Sequence, residues 1–418
     1  MRPWHALAVA LLLAGCADTR MTAEPAVEPP LALIGGRVQT EPGAPVIVGG
    51  VVLIQRGVVT AVGPRGEIPI PTGATRLDCA GATVSAGFWN SHVHFTQDVW
   101  NDAFSAPAAR LTGTLRAMLT SRGFVRVVDL GSSPPDTFAL RRRIESGEVP
   151  GPAIFTAGVG FAPAHASPYY IRPFQLPELA TPADAEAQVA RALDAGVDVV
   201  KLFTGSFAER ETIVVMPLEV VRAAVEVAHR RGRVVLAHPS DSAGARVALE
   251  GGVDVLAHTF PTELGGRPWD RALPGQMRAR GMGMIPTLKL WPWELGKLGL
   301  PSEIVQRVID NGDAQLRAFA AAGGQVLFGT DVGYMTDYDT TDELVAMQRA
   351  GLSYAQILAS LTTAPAARFG VAARTGRLAV GLDADVTVVE GDPAQDIRAL
   401  ARVRYTLRGG RLIYEATR

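Results

Sequence analysis

The chain has 418 residues, of which 48% are hydrophobic and 19% are charged, so it can bury a large core and is not disordered as a whole. Its 40 basic and 41 acidic side chains leave a formal net charge of −1, which excludes the basic surface that nucleic-acid-binding proteins use. Two cysteines are too few for a disulfide-rich scaffold or a cysteine-ligated zinc module.

The first residues have the pattern of an export signal. Arg2 precedes a wholly apolar run over residues 6–13, which is shorter than the roughly 20 residues that a membrane-spanning helix needs. The run ends in Leu13-Ala14-Gly15-Cys16, which resembles the bacterial lipobox, in which the cysteine becomes lipidated. We therefore predict a lipoprotein; an ordinary secretory signal with an accidental cysteine is the alternative.

This pattern also predicts where the protein is held. Residues 1–16 are the expected signal peptide, Cys16 is the expected lipidation site, and the polar, Pro-rich residues 17–30 are an expected flexible tether. Ala17 stands where lipoproteins of the inner membrane often carry Asp. The expected location is therefore the bacterial cell envelope, anchored by lipid at the outer membrane and facing the periplasm.

Two β-rich segments flank the rest of the chain. Residues 31–86 contain the runs ALIGGRV, VVLIQRG and VVTAVG between Gly and Pro turns, and residues 372–418 contain ADVTVVEGD and RYTLRGGRLIYEA. Neither segment is long enough to close a core alone. We therefore predict a small composite β-sandwich built from both termini, with residues 87–371 inserted between its two parts.

The inserted segment alternates short apolar runs with amphipathic stretches, such as the helices predicted over 182–195 and 217–231. Near-continuous Val, Ile and Leu are typical of parallel strands that are buried on both faces. Eight such units predict an α/β fold, a TIM (β/α)8 barrel. A doubly wound open sheet is the alternative, but no glycine-rich dinucleotide fingerprint follows the first run. The eight runs are GFWNSHVHF (87–95), FVRVVDLG (124–131), AIFTAG (153–158), VDVVKLF (197–203), RVVLAHP (233–239), VDVLAHTF (253–260), MIPTL (284–288) and QVLFGTD (325–331).

Polar side chains stand at the ends of several of these runs. His92 and His94 are two apart on the first predicted strand, so both side chains point to the same face. His238, His258 and Asp331 end the fifth, sixth and eighth runs. Because the carboxyl ends of barrel strands meet at one rim, these side chains are expected to converge there. Buried imidazoles are costly unless they are paired, and this arrangement predicts a metal site.

Lys201 lies within the fourth run, between Val200 and Leu202, where an ammonium group is costly to bury. The chain has only three lysines, and its other basic residues are arginines. A lysine at this position suggests that an amine is chemically required. A neutral amine can react with carbon dioxide to form a carbamate, an anionic ligand able to bridge two metals. A structural lysine at the strand edge is the alternative.

These motifs resemble those of the metal-dependent amidohydrolase superfamily, in its imidazolonepropionase-like branch, which includes Xaa-Pro dipeptidases. The resemblance covers roughly residues 31–416, and it also includes LTTAPAARFG and GRLAVGLDADVTVVEGDP near the C-terminus. Two positions depart from the family pattern: Asn90 replaces a frequent Asp, and Ser240 replaces a Tyr that peptidase members often carry. The resemblance implies one metal held by His92, His94 and Asp331, a second held by His238 and His258, and carboxylated Lys201 as the bridge.

The expected reaction is hydrolysis of an amide bond in a small substrate such as a dipeptide, an N-acyl amino acid or a cyclic amide. Two divalent metals that share a water would yield a bridging hydroxide, and Asp331 would serve as general base and then general acid. Histidine-rich sites with carboxylate oxygens suit zinc best, with manganese or cobalt as alternatives. Two other hypotheses stay open: a mononuclear cyclic amidase or deaminase in which Lys201 is structural, and a non-catalytic metal-binding envelope lipoprotein. Homo-oligomerisation is also left open.

Four loops of the predicted rim are rich in aromatic residues, and rim loops line the pocket of barrel enzymes. We predict an apolar pocket that favours Phe- or Leu-containing substrates over Gly, Asp or Lys analogues; packing of the loops on the rim is the alternative. His165, Tyr169, Tyr334, Arg172 and Lys289 are candidate substrate contacts, with Lys297 as a further candidate for a substrate carboxylate. The aromatic residues are Trp100, Phe104, Phe161, Tyr169, Tyr170, Phe174, Trp291, Trp293, Tyr334 and Tyr338.

Overall fold

A computed structural model of the chain describes residues 29–417. The predicted signal peptide, the lipidation site Cys16 and almost all of the predicted tether lie outside this range. Within it, no helix combines the length and the apolar character that crossing a membrane would require.

Five strands open the described range. β1 is antiparallel to β2, and β2 is antiparallel to β3. β1 changes partner along its other edge, since its first half is parallel to β4 and its second half is parallel to β5. Gly36 lies at this change, and a Cβ there would approach the Val84 side chain to 2.7 Å. The strands are β1 (Leu31–Gln39), β2 (Ile47–Gln55), β3 (Val58–Pro64), β4 (Thr75–Asp78) and β5 (Ala82–Ala86).

The central part of the chain builds two parallel sheets. One has three strands in the order β6, β7, β8, and the other has four in the order β11, β14, β15, β16. Two short pairs interrupt this order: parallel β9 and β10 lie between the two sheets in sequence, and the antiparallel hairpin of β12 and β13 lies between β11 and β14. The strands are β6 (Phe88–Val93), β7 (Phe124–Asp129), β8 (Ala153–Thr156), β9 (Ala162–Pro163), β10 (Glu178–Leu179), β11 (Val200–Phe203), β12 (Gly205–Glu209), β13 (Thr212–Val215), β14 (Val235–His238), β15 (Val255–Ala257) and β16 (Gly283–Ile285).

Backbone hydrogen bonds connect the two sheets on both sides. On one side, the Asp198 N–H donates to Thr156 O at 2.8 Å. On the other side, the eighth predicted run lies between β16 and β6: Leu327 N–H donates to Met284 O and Ser91 N–H donates to Phe328 O. This run forms bridges but no regular strand, contrary to the prediction. The physical reason is that its backbone turns away at Asp331, where φ is +60°.

Eleven α-helices are found in the described range. The helices predicted over 182–195 and 217–231 are confirmed as α3 and α4, and α3 begins with a capping box at Thr181. The helices are α1 (Ala108–Met118), α2 (Pro134–Glu145), α3 (Pro182–Asp194), α4 (Leu218–Arg230), α5 (Ser242–Glu250), α6 (Leu273–Ala279), α7 (Leu290–Gly296), α8 (Ser302–Ala321), α9 (Thr341–Arg349), α10 (Tyr354–Leu361) and α11 (Thr363–Arg368).

The side chains of the parallel strands pack into two separate hydrophobic cores. In β7, Val127 packs in the cluster beneath the helices, whereas its neighbour Val128 packs in a cluster with Trp89, Leu236 and Leu327. Successive side chains of a strand point to opposite faces, so both faces must be apolar. This double burial explains why the runs are continuous rather than alternating.

The C-terminal strands join the N-terminal ones in a single sheet of eight strands. β17 pairs with β5 in antiparallel fashion from Val386 to Glu390, and the path runs β19, β18, β17, β5, β1, β2, β3. The two termini thus share one β unit, but as one continuous sheet rather than as two sheets of a sandwich. β17 pairs with β5 along the whole length of β5, so β5 is an interior strand and has no unpaired edge. The strands are β17 (Val386–Glu390), β18 (Val403–Arg408) and β19 (Arg411–Glu415).

Candidate active site

Three predicted ligands meet at the end of β6. His92 Nε2 lies 3.2 Å from His94 Nε2, and Asp331 Oδ1 lies 3.2 Å from the first nitrogen and 2.9 Å from the second. His92 and Asp331 are buried, and His94 is nearly so. These donor atoms are close enough together to hold a metal ion.

Hydrogen bonds on the far side of two imidazoles set their tautomers. His94 Nδ1 lies 2.8 Å from the carbonyl oxygen of Gly131, which can only accept, so this nitrogen carries the proton. His258 Nδ1 lies 2.7 Å from Thr287 Oγ1, whose hydroxyl donates to Pro286 O at 2.9 Å, so His258 Nδ1 is also the donor. Both Nε2 atoms therefore present a lone pair, as metal-binding histidines do.

These tautomers bear on whether the site can bind a metal. With the proton of a neutral His94 on Nδ1, its Nε2 and the Asp331 carboxylate are both acceptors, and they face each other at 2.9 Å. Two buried acceptors at that distance repel unless a second proton on His94 or a metal ion is shared between them. Three buried atoms here also have no hydrogen-bond partner: His92 Nδ1, Lys201 Nζ and Asp331 Oδ1. A divalent metal fits this donor set.

His238 and His258 extend the group along β14 and β15. The His258 ring centroid lies 4.5 Å from that of His92 and 5.0 Å from that of His238. His258 Nε2 lies 3.9 Å from Asp331 Oδ2. The structure thus brings all four predicted histidines together, although His238 stands outside the compact group formed by His92, His94 and Asp331.

Lys201 lies beside these histidines on β11. Its side chain is buried, with 2% of the residue exposed, and its Nζ has no hydrogen-bond partner. Burial lowers the pKa of the amine to about 7, although the charge of Asp331 acts in the opposite direction. A large share of this side chain is therefore unprotonated at neutral pH, which is the form that reacts with carbon dioxide. We call the six residues the strand-end cluster: His92, His94, Lys201, His238, His258 and Asp331.

The electrostatics of the strand-end cluster favour neutral imidazoles. Burial, together with Lys201 and the other histidines, holds the pKa of His92 and His258 well below the usual range. Burial and Lys201 lower the pKa of His238 to about 3. Burial also acts on His94, but the hydrogen bond and charge of Asp331 outweigh it and raise the pKa. Neutral imidazole is the form that binds metals.

The backbone around the cluster is strained. His258 and Asp331 have φ values of +89° and +60°, which non-glycine residues seldom adopt. Gly333 has φ +103°, and a Cβ there would lie 1.8 Å from His94 O. The chain after Asp331 therefore approaches the His94 backbone as closely as a glycine permits.

Asp129 is a buried residue that the sequence analysis missed. It ends β7 and accepts hydrogen bonds from Ser132 Oγ at 2.5 Å, Thr156 Oγ1 at 2.6 Å and Gly131 N–H at 3.3 Å. It thereby holds the turn whose Gly131 carbonyl orients His94. The signal was present in the sequence, because Asp129 ends an apolar run just as His238 and His258 do.

Three of the predicted substrate contacts have surroundings set by their own loops. The His165 side chain is 98% exposed, and Arg172 pairs with Glu209 at 2.7 Å. Lys289 is buried, but its Nζ binds Asp337 Oδ2 at 2.8 Å, so its charge is already compensated. Substrate binding by these three residues stays a prediction.

The ten loop aromatics divide into four groups. Trp100 and Phe161 belong to the core, whereas the Phe104 and Phe174 side chains are exposed. Tyr338 donates to Gln97 Oε1, and the Trp291 ring lies 6.5 Å from that of His258. The remaining four form one contiguous set of rings in which neighbouring centroids lie 5.7–6.0 Å apart: Tyr169, Tyr170, Trp293 and Tyr334.

Comparison with known proteins gives the family. The Amidohydrolase family profile matches residues 83–413. Ochratoxinase from Aspergillus niger is 24% identical over 410 residues, covering 86% of this chain and 82% of that protein. Among solved structures, a Bifidobacterium longum protein assigned as a prolidase is 27% identical with a TM-score of 0.78, covering 93% of this chain and 95% of the other. A Xaa-Pro dipeptidase with bound methionine has a TM-score of 0.79 at 24% identity, covering 93% of this chain and 100% of the other.

The family match extends over most of the chain and includes every residue of the strand-end cluster. It confirms the resemblance that the sequence motifs carried, and the fold of these relatives is a TIM barrel with an added domain. The protein is accordingly a hydrolase of carbon–nitrogen bonds. The chain belongs to the Amidohydrolase family.

Proposed function

We propose that this protein is a metal-dependent amidohydrolase that cleaves the amide bond of a small substrate such as a dipeptide, an N-acyl amino acid or a cyclic amide. The observation that carries the proposal is the convergence of His92 Nε2, His94 Nε2 and Asp331 Oδ1, which lie within 3.2 Å of one another and can hold a metal ion. Relatives named prolidase, Xaa-Pro dipeptidase and ochratoxinase support the same class of reaction.

In this proposal, His92, His94 and Asp331 hold one metal, His238 and His258 hold the other, and carboxylated Lys201 bridges them. Zinc is the metal that this donor set suits best. When bound, such metals polarise a carbonyl oxygen and lower the pKa of water towards neutrality. The proposal includes a closed eight-stranded barrel, in which residues 325–331 supply the strand between β16 and β6.

The residues of the chain supply orientation and proton transfer. Asp331 is the proton carrier in this mechanism: its carboxylate takes the proton that the attacking water loses and gives it to the departing amine. Gly131 O and Thr287 Oγ1 keep the protons of His94 and His258 on Nδ1. These two contacts leave the Nε2 lone pairs of both imidazoles directed at the metal position.

The aromatic set beside the cluster is the proposed binding pocket. Burial raises the pKa of the Tyr170 and Tyr334 hydroxyls, and the charge of Asp331 adds to this shift, so both stay protonated and lie near the site. The rings exclude water and favour a bulky group next to the scissile bond. Phe- and Leu-containing substrates are therefore expected to exceed Gly and Asp analogues in kcat/KM.

Metal analysis combined with a substrate panel tests the proposal. Purified protein is stripped with a chelator, reloaded with zinc and bicarbonate, and assayed on dipeptides and N-acyl amino acids, with metal content measured by mass spectrometry. We expect about two metals per chain and activity that returns with them. His94→Ala should lose bound metal and activity. His229→Ala, which removes a half-exposed histidine paired with Asp254, should keep the metal content and the activity of the wild type. Less than one metal per chain and no rescue would favour a non-catalytic metal-binding protein.

A mononuclear amidase or deaminase is the second candidate. It is favoured by the compact grouping of His92, His94 and Asp331, from which His238 is separate. In that case one metal per chain would support full activity, and Lys201→Met would retain it. The two-metal mechanism requires the opposite result.

We further propose that the protein is a lipoprotein of the bacterial envelope, anchored through Cys16. The support is the Leu13-Ala14-Gly15-Cys16 motif in the sequence. Cys16→Ser should release the protein from membranes without detergent or leave it uncleaved. Wild-type protein that is soluble in the periplasm, with cleavage elsewhere, would contradict this location.

A further inference from the structure

Three residues lie around the ammonium group of Lys297: Trp293 and Glu294 on α7, and Tyr334 in the segment after Asp331. Lys297 Nζ lies 3.0 Å from the Trp293 ring centroid, 5.5 Å from the Tyr334 centroid and 3.0 Å from Glu294 Oε1. The Tyr170 ring lies 6.0 Å from that of Tyr334, at an interplanar angle of 61°. We call this group the loop cluster: Tyr170, Trp293, Glu294, Lys297 and Tyr334.

The loop cluster has the composition of a cation-binding site. The face of an aromatic ring attracts a cation within about 6 Å of its centroid, and Trp does so most strongly. Glu294 adds a carboxylate, whose Oε1 lies 3.0 Å from Lys297 Nζ. The rings and the carboxylate therefore converge on one position, which the ammonium group of Lys297 occupies.

Two short chain segments connect the loop cluster to the strand-end cluster. Tyr334 follows Asp331 by three residues. Trp291 precedes Trp293 by two residues, and its ring lies 6.5 Å from that of His258. We therefore place the loop cluster within reach of a substrate bound at Asp331 and His258.

Lys297 can leave this position. Its side chain is 47% exposed, whereas that of Lys289 in the neighbouring turn is 4% exposed and is tied to Asp337. Glu294 is 28% exposed, so its ion pair with Lys297 is partly screened by water. An exposed ion pair of this kind contributes little stability, and a second cation competes with Lys297 at small cost.

We propose that the loop cluster is a cation-binding subsite, filled by Lys297 until a positively charged group of a substrate displaces it. The proposal rests on the amide hydrolysis proposed above, and it names the preferred substrates as amides that carry an ammonium or guanidinium group on an apolar stem. It revises the sequence-based expectation that Lys-containing substrates are disfavoured. That expectation considered only the aromatic residues of the loops and left out the carboxylate of Glu294.

Binding of a cation that cannot be hydrolysed tests the subsite without relying on activity. Choline is titrated calorimetrically into the purified protein, and 3,3-dimethyl-1-butanol, its neutral isostere, is the matched ligand. Lys297→Met should lower the Kd for choline roughly tenfold, which corresponds to a subsite that is free in about a tenth of the wild-type molecules. The same substitution should leave the Kd for the alcohol unchanged.

Two further variants separate the subsite from a general charge effect. Glu294→Gln in the Lys297→Met background should raise the Kd for choline about tenfold, because it removes the carboxylate and keeps the shape. Arg230→Met, which removes an exposed cation paired with Glu226 on α4, should not change choline binding. Equal affinity for choline and the alcohol, or no gain in Lys297→Met, would overturn the proposal and identify the Lys297 contacts as local helix pairing only.

A kinetic comparison then tests whether substrates use the subsite during hydrolysis. The ratio of kcat/KM for N-benzoyl-lysine over N-benzoyl-norleucine should rise several-fold in Lys297→Met. Choline binding without hydrolysis of either compound would support the subsite and contradict the proposed function. A ratio unchanged in an active Lys297→Met variant would show that substrates do not use the subsite, and this would overturn its proposed role.

Discussion

The strand-end cluster and the loop cluster lie side by side but are held in different ways. His92, Lys201 and His238 extend from three parallel strands and are tightly packed, and Lys201 is only 2% exposed. Trp293 and Lys297 extend from the short helix α7 and its C-terminal end, Tyr334 extends from a loop, and Lys297 is half-exposed. The difference indicates a division of labour. Strands hold the groups whose geometry the chemistry requires, and loops hold the groups that select the substrate.

This comparison predicts that changes at the strand ends reduce kcat and metal content, whereas changes in the loops alter KM and the choice of substrate. The largest effect is expected at Lys201. Lys201→Ala should abolish activity and remove most of the second metal, because the bridging carbamate cannot form. Acetate or formate with zinc should restore part of the activity. Full activity in Lys201→Arg, which cannot form a carbamate, would contradict the bridge.

Asp331→Asn should lower kcat by about 10²-fold or more, since the amide cannot carry the proton. Metal content should stay close to that of the wild type, because an amide oxygen still faces His94. Steady-state kinetics and metal analysis on the same preparation check both expectations. Loss of both metals would identify Asp331 chiefly as a ligand.

Glu343 on α9 binds the backbone at Lys289, just before α7, and its ionisation makes the free energy of unfolding depend on pH. It is fully buried on α9, and one carboxylate oxygen accepts the backbone N–H of Lys289 at 2.7 Å. Burial raises the pKa of this carboxyl from 4.5 to about 7. Its neutral form favours folding below about pH 4.5, and this stabilisation is lost as pH rises through 7.

Glu343→Gln removes this titration. From pH 4.5 to 8, the variant should therefore gain on the order of 3 kcal/mol of unfolding free energy relative to the wild type. Urea denaturation at the two pH values measures the difference. Glu186→Gln, an exposed change on α3, is the control and should show none of it. An equal difference between variant and wild type at both pH values would contradict the assignment.

Asp129→Asn tests how the strand-end cluster is supported. The amide cannot accept at both positions, so the turn at Gly131 loses part of its support and His94 is held less firmly. Metal affinity should fall by about tenfold, as is typical for partners of metal-binding histidines. Zinc titration against a competing chelator measures it. Asp136→Asn, at an exposed helix start, should retain wild-type affinity.

The smallest effect is expected in the loops. Tyr334→Phe keeps the ring beside Lys297 and removes only its hydroxyl, so KM for cationic substrates should rise by a few-fold while kcat changes little. Kinetics on a lysine and a norleucine substrate provide the comparison. A large fall in kcat for both would place Tyr334 in the chemical step and remove the distinction between the two clusters.

The sequence predicted the strand-end cluster better than any other part of the molecule. His238 and His258 follow strands β14 and β15, which run in parallel and end at the same rim. Parallel strands of one sheet end at the same edge, so the positions of the strands also fix which side chains at their ends lie close together. The same rule would have found Asp129. Pattern and direction were sufficient at these positions because a strand has one direction and a period of two.

The sequence was a weaker guide where backbone geometry departs from regular elements. Residues 325–331 were expected to form a strand, but they form bridges and turn sharply at Asp331. The two termini were expected to form a sandwich, but β17 extends the edge of β5 into a single sheet. Hydrophobic periodicity does not specify which free edge a strand will pair with, because that choice depends on long-range packing.

The amino-acid sequence alone determined the family, the α/β alternation and the strand-end residues, because each depends on local period and spacing. Only the tertiary structure decided what the loop residues do. Arg172 and Lys289 were candidates for substrate binding, yet Glu209 and Asp337 neutralise them. Trp293 and Lys297 lie one turn apart at the end of α7, and Tyr334, from a distant part of the chain, meets them at the same charge. A loop side chain is positioned by its contacts and not by a repeating direction, so its partners emerge only when the chain is folded.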